Sequence, residues 1–325
     1  MGAAQPTLNN SFHEALHRLV SKNIESLTKI SLYLMGPVPI PVAQDIFRLP
    51  LLQDLTVHLP RLPNQFPGIS ASLTDISVTL DSERALAQVF TACRDLRVTR
   101  LGITYEGLST PGNWESLAST IATGQLTQTL TDFFWIDIPQ HEIGPIMLKA
   151  FLPFASLQSL QIGTSCRETP LCRFTFGHVD VCQLSSALPN LRIFHLGGRP
   201  CAVMATSVSF ETLAIISKRC KYLESLRIHF NPTYIGTLSR DEELLAFFAD
   251  GDMSARSEYA LETLIVGNIQ VVGEKELLSW YMALALSEIF PLLSVIEHAP
   301  NNEIWTEVEI RLKRCKAIKG FAGHM

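Results

Sequence analysis

Along the chain, apolar residues return in a short pattern, LxxLxL, in which other aliphatic or aromatic residues substitute for leucine. It reads LTKISL at 27–32, LQDLTV at 52–57, LTDISV at 73–78, VTRLGI at 98–103 and LTDFFW at 130–135. It continues as LQSLQI at 157–162, LRIFHL at 191–196, LESLRI at 223–228 and LETLIV at 261–266, with a degraded tenth copy at 292–297. The nine clear copies start 21 to 38 residues apart. Within each, the last apolar positions alternate with polar ones, the period of two that a short strand shows when it buries one face.

Between the copies the spacing turns helical, as in SERALAQVFTAC from Ser82, NWESLASTIATG from Asn113, FETLAIISKRC from Phe210 and EKELLSWYMALALSEIF from Glu274. Ser11 with Glu14 and Ser239 with Glu242 fit the capping box, in which hydroxyl and carboxylate satisfy each other's free backbone N–H groups. The unit is therefore strand, loop, helix, short turn, strand. One such unit cannot bury both the strand's leucines and the helix's apolar face, whereas stacked neighbours can. The pattern predicts an α/β leucine-rich-repeat solenoid, a right-handed α/β horseshoe of about nine to ten repeats, with strands lining the concave side. Residues 1–26 are expected to form an N-terminal capping helix segment, 27–300 the solenoid and 301–325 a C-terminal cap or tail. The alternative is an ordinary α/β domain, whose parallel strands are usually unbroken apolar runs rather than alternating ones.

Composition agrees. Leucine supplies 45 of the 325 residues, and the chain is 47% hydrophobic but only 18% charged, against about 25% charged in an average domain. The net charge of −5 is spread without any run of five like charges, which argues against nucleic acid or an anionic membrane as partner. Seven cysteines, irregularly spaced and without a CxxC pair, do not read as a secreted disulfide framework. The N-terminus shows no basic-then-apolar leader, and the longest apolar stretch, 277–296, is broken by Glu288 and Pro291. The expectation is a cytoplasmic or nuclear protein.

The segments LPNLRIFHLGG (188–198), CKYLESLRIHF (220–230), FASLQSLQI (154–162), LSSALPNL (184–191) and the stretch Pro111-Gly-Asn-Trp-Glu-Ser-Leu117 resemble the leucine-rich-repeat portion of fungal, basidiomycete-like F-box proteins. The resemblance runs from about Leu27 to about Val272. It implies repeats that hold a protein substrate, while an F-box docks to the adaptor of a cullin-based ubiquitin ligase. The first 26 residues contain no recognisable F-box opening, so the adaptor is implied as a partner only if an F-box is supplied from outside this chain.

Two motifs could carry chemistry. His13-Glu14-Ala15-Leu16-His17 fits HExxH, in which two histidines a helical turn apart bind zinc and the glutamate activates water. The other reading is an amphipathic cap with Phe12, Leu16 and Leu19 inward and His13, Glu14, His17 and Arg18 toward water. Cys166, Cys172, His178 and Cys182 form a second conceivable metal set. No phosphate loop, dinucleotide fingerprint or GxSxG elbow occurs, so neither an enzyme nor a cofactor is expected.

The third and fifth motif positions and the residue after the pattern point away from the strands' buried face. In the early copies these residues are polar and mildly acidic. Later ones bring Phe134, Ile136, Gln161, Ile193, His195, Arg227, His229 and Ile265 to the same face, and an aromatic and an arginine among small residues match the make-up of an interface centre. The expected function is a non-catalytic protein-recognition module, in one version the substrate receptor of a ubiquitin ligase. A scaffold with no ligase link and an HExxH zinc hydrolase are the alternatives.

Overall fold

The computed structural model describes residues 7–32, 38, 40–58, 70–107, 122, 124–137, 144–164, 175–197, 208–228, 261–266, 275–298 and 302–322. The protein is α/β, built from parallel strands with helices between them, and it divides into two compact units at Pro139 and Gln140.

The first unit runs α1 (Thr7–Lys22), β1 (Lys29–Ser31), α2 (Ile40–Phe47), β2 (Asp54–His58), β3 (Asp75–Leu80), α3 (Glu83–Cys93), β4 (Arg100–Tyr105), α4 (Leu126–Thr129) and β5 (Asp132–Asp137). Its strands pair in chain order, each parallel to the last. The register superimposes the LxxLxL copies position for position. Ile30, Leu55, Ile76, Leu101 and Phe133 form one inward row, and Val57, Val78, Ile103 and Trp135 a second; all are buried. Tyr105 and Trp135 continue the core as a stacked pair with centroids 5.6 Å apart. The residues that open the second to fifth copies, Leu52, Leu73, Val98 and Leu130, are buried too, while Leu27 of the first is half-buried.

The second motif position has its own task. The hydroxyls of Thr74, Thr99 and Thr131 each donate to the carbonyl of the preceding copy's second residue, at 3.3, 3.2 and 3.1 Å. The same carbonyls also accept the backbone N–H groups of the next copy's second and third residues, so each hydroxyl adds to a junction already paired where the strand ladder begins. Helix α3 starts as its sequence requires: extended Ser82 accepts from the Ala85 N–H through its side chain.

The second unit runs α5 (Pro145–Lys149), β6 (Ser159–Thr164), α6 (His178–Ala187), β7 (Ile193–Leu196), α7 (Phe210–Arg219), β8 (Ser225–Arg227), β9 (Thr263–Ile265), α8 (Lys275–Ile289), β10 (Val295–Glu297) and α9 (Glu303–Ala322). Again the strands are parallel and in chain order. Leu160, Phe194, Leu226, Leu264 and Ile296 make the buried inward row. At the second motif position, Arg192 on its way into β7 bonds Glu224 on its way into β8. Ser209 and Thr212 cap α7 reciprocally, and α9 closes the unit with Trp305, Val308 and Leu312 buried.

Three expectations need correcting. Helix α1 already begins at Thr7, so Ser11 lies inside it and does not start it. Leu19 is 54% exposed; the inner face of α1 is carried by Leu16 and Val20, four residues apart and therefore stacked on one side of the helix. The tenth copy is shifted by one residue: Val295 pairs with Thr263, which puts Leu293, fully buried, in the opening position and leaves Leu292 exposed. The expected helix from Asn113 and the capping box of Ser239 with Glu242 lie outside the described residues. Among the described residues, no helix is long and apolar enough to cross a membrane.

Candidate functional site

The strand faces turned away from the core form the candidate site, which each unit presents with different chemistry.

In the first unit the register collects three outward rows. The third motif positions give Lys29, Asp54, Asp75, Arg100 and Asp132; the fifth give Ser31, Thr56, Ser77, Gly102 and Phe134; the residues two further on give His58, Thr79, Thr104 and Ile136. The first row is charged. Lys29 pairs with Asp54, and Arg100 lies 3.2 Å from Asp75. Asp54 and Asp75 face each other directly, a like-charge arrangement unfavourable in a ladder. Burial pushes the Asp75 carboxyl above its usual range; Arg100 draws it back and Asp54 opposes that. The second row is small until β5, where Phe134 stands 39% exposed beside Gly102. The exposed aromatic thus has no side chain opposite it on β4.

In the second unit, Gln161, His195, Arg227, Ile265 and Glu297 make one row, with Ser159, Ile193, Ser225, Thr263 and Val295 beside it. His195 Nε2 and Ser225 Oγ are hydrogen-bonded at 2.9 Å, and the Gln161 amide donates to Ser159 at 3.2 Å. The His195 Nδ1 is buried with no hydrogen-bond partner among the described residues. Burial, with the Arg227 charge next in register, lowers the His195 pKa to about 4. At neutral pH the ring is uncharged, a polar but not cationic neighbour for Arg227.

Of the expected interface residues, Gln161, His195, Arg227 and Ile265 therefore share one row, Ile193 lies in the adjoining one, and Phe134 and Ile136 share β5. Ile265 is only 9% exposed, so it contributes little open surface. His229 lies outside the described residues.

The metal motifs are placed differently. His13 and His17 share α1, but the His13 side chain is not among those described. His17 reaches across to α2: Nε2 is 3.2 Å from Asp45, while Nδ1 is 3.3 Å from the Ser21 hydroxyl. Glu14 lies 3.8 Å from Arg18. His178 Nδ1 bonds Thr212 at 2.7 Å, and the Cys182 sulfur is 3.7 Å from its Nε2; Cys166 and Cys172 lie outside the described residues. No group of three metal-ligating side chains occurs among the described residues. Buried Cys93 and Cys220 have thiols pushed up to about 12 by burial, far from a reactive thiolate.

Sequence reasoning missed the cross-strand ion pairs and the tenth strand's Val295 and Glu297. The former had a signal: aligning the first five copies on their third position spells Lys, Asp, Asp, Arg, Asp. Compared with known proteins, the chain matches no protein-family model and no curated protein.

Proposed function

We propose that this chain is a non-catalytic protein-recognition module of leucine-rich-repeat type. In this reading residues 27–300 form a right-handed α/β horseshoe, the outward strand face is its concave side, and a partner protein seats there. We place it in the cytoplasm or nucleus. The observation that supports the reading best is the outward face itself. Its rows are in register yet chemically varied, with an exposed Phe134 in one unit and aligned Gln161, His195 and Arg227 in the other. A purely structural face needs only soluble residues there, whereas recognition favours aromatic and arginine anchors amid small neighbours. The narrower reading, substrate receptor of a cullin-based ubiquitin ligase, rests on the resemblance of the repeat segments, with the F-box coming from outside these 325 residues.

The test is affinity capture from a native extract with wild type, Phe134→Asp, Arg227→Ala and, as a helix-side control, Val179→Asp, since Val179 is 62% exposed on α6. Loss of the same specific partner in the first two variants and its retention by the control is the expected outcome. An unchanged partner set in the sheet-face variants removes the assignment.

A further inference from the structure

Resting on that recognition reading, we propose that the first unit's face recognises an arginine side chain of the partner, seated on β5 between the Asp132 carboxylate and the Phe134 ring. Three observations converge on this place. Asp132 and Phe134 lie two residues apart on one strand, hence on the same face about 6.8 Å apart. A guanidinium stacked on the ring can therefore turn its edge toward the carboxylate, combining a cation–π contact with a charge-assisted hydrogen bond.

The carboxylate is also the least satisfied charge of its row. Lys29 with Asp54 and Arg100 with Asp75 neutralise each other, whereas Asp132 has no ion-pair partner among the described residues. Its neighbour is the Thr131 hydroxyl at 2.7 Å, and that hydroxyl's single proton is also claimed by the Thr99 carbonyl at 3.1 Å. Arg100, next in register on β4, is held on its other side by Asp75.

Gly102, opposite Phe134, places no side chain beside the ring on β4. The Ser77 hydroxyl stands 3.1 Å from where a Cβ on Gly102 would be, so it borders this position as a polar neighbour. With Ser31, Thr56 and Ser77 continuing that row, a planar group can lie flat beside the ring. Ile136, next on β5 and opposite Thr104, supplies an apolar contact for a residue flanking the arginine. Charge and shape together select a basic residue followed by an aliphatic one, not an acidic segment.

The probe is a fluorescein-labelled peptide, acetyl-Gly-Arg-Gly-Leu-Gly-amide, alongside versions with Glu or citrulline for Arg. Binding to the full chain is read by fluorescence anisotropy up to about 1 mM, the weak limit expected of a single anchor. Wild type is expected to bind the Arg peptide, to bind it less tightly at high salt, and to ignore the Glu and citrulline versions. Asp132→Asn and Phe134→Leu should each weaken it about tenfold, the size of one charge-assisted or cation–π contact. Circular dichroism should be unchanged, since Phe134 is exposed and Asp132 is on the outward face, half-buried.

No binding by wild type, equal binding of the three peptides, or full retention by Asp132→Asn overturns the proposal. If partner capture is lost in Phe134→Asp but persists in Asp132→Asn, recognition by the face stands and its arginine specificity falls. If both variants capture normally, both readings fall together.

Discussion

His195 sits between Gln161 and Arg227 with one ring nitrogen bonded to Ser225 and the other buried, and this environment ties the protein's stability to pH. The unfolded chain takes up the proton near 6.5, the folded chain only near 4. Between those values the unfolded state binds more protons, so stability falls as pH drops from about 6.5 toward 4 and is insensitive to this group above 6.5. His195→Asn should remove that part of the slope. Urea midpoints at pH 7.5, 6 and 5 measure it: the wild type's advantage over the variant should shrink on acidification, and parallel profiles would contradict the placement. The residue scale also shows what spacing alone conceals. That His195 lies on the outward face was readable from the motif, but its partner Ser225 lies 30 residues later, in the next copy, and only the register joins them.

Among the elements, the strands were the most legible, because nine of the ten copies coincide with β1 to β9. The tenth was misplaced by one residue because Leu292 and Leu293 are chemically identical; the pairing of Val295 with Thr263 decides between them. The consequence is measurable. Leu293→Ala should cost roughly 2–5 kcal/mol, as for a leucine emptied from a packed core, and Leu292→Ala no more than about 0.5 kcal/mol. Equal costs in chemical denaturation would return the strand to the unshifted register.

The helices were less legible, since an apolar stripe does not tell which neighbour it meets. Helices α8 and α9 border a cleft of about 820 Å³ lined by Arg311, whose side chain is 8% exposed, 4.6 Å over Trp280 and 3.4–3.5 Å from Glu307 and Glu276. Because both glutamates are largely in water, the long ion pairs contribute little and the arginine's packing contributes more. Arg311→Ala should therefore destabilise markedly and Arg311→Met much less, with Glu276→Gln costing under about 1 kcal/mol by the same denaturation measurement.

Across the whole molecule, the sequence foretold the parallel α/β architecture because burying one strand face imposes a period of two, and every copy repeats it. The candidate site was legible only in part. Phe134, Gln161 and Arg227 were identifiable as outward positions, yet the charged pairs of the first unit and the covering of Ile265 depend on neighbours 21 or more residues away. The HExxH match shows the converse: a pattern complete in sequence in which His17 is instead tied to Asp45 across two helices.

The central claim, that the outward strand face is where a partner sits, is tested most directly by site-specific photocrosslinking. A photoreactive phenylalanine is placed at Phe134 or Gln161 on the face and at Val179 on α6 or Tyr222 in the turn before β8, both 62% exposed. The account predicts crosslinks to one partner from the first two positions and none from the others. Crosslinks arising only from Val179 or Tyr222 would contradict it.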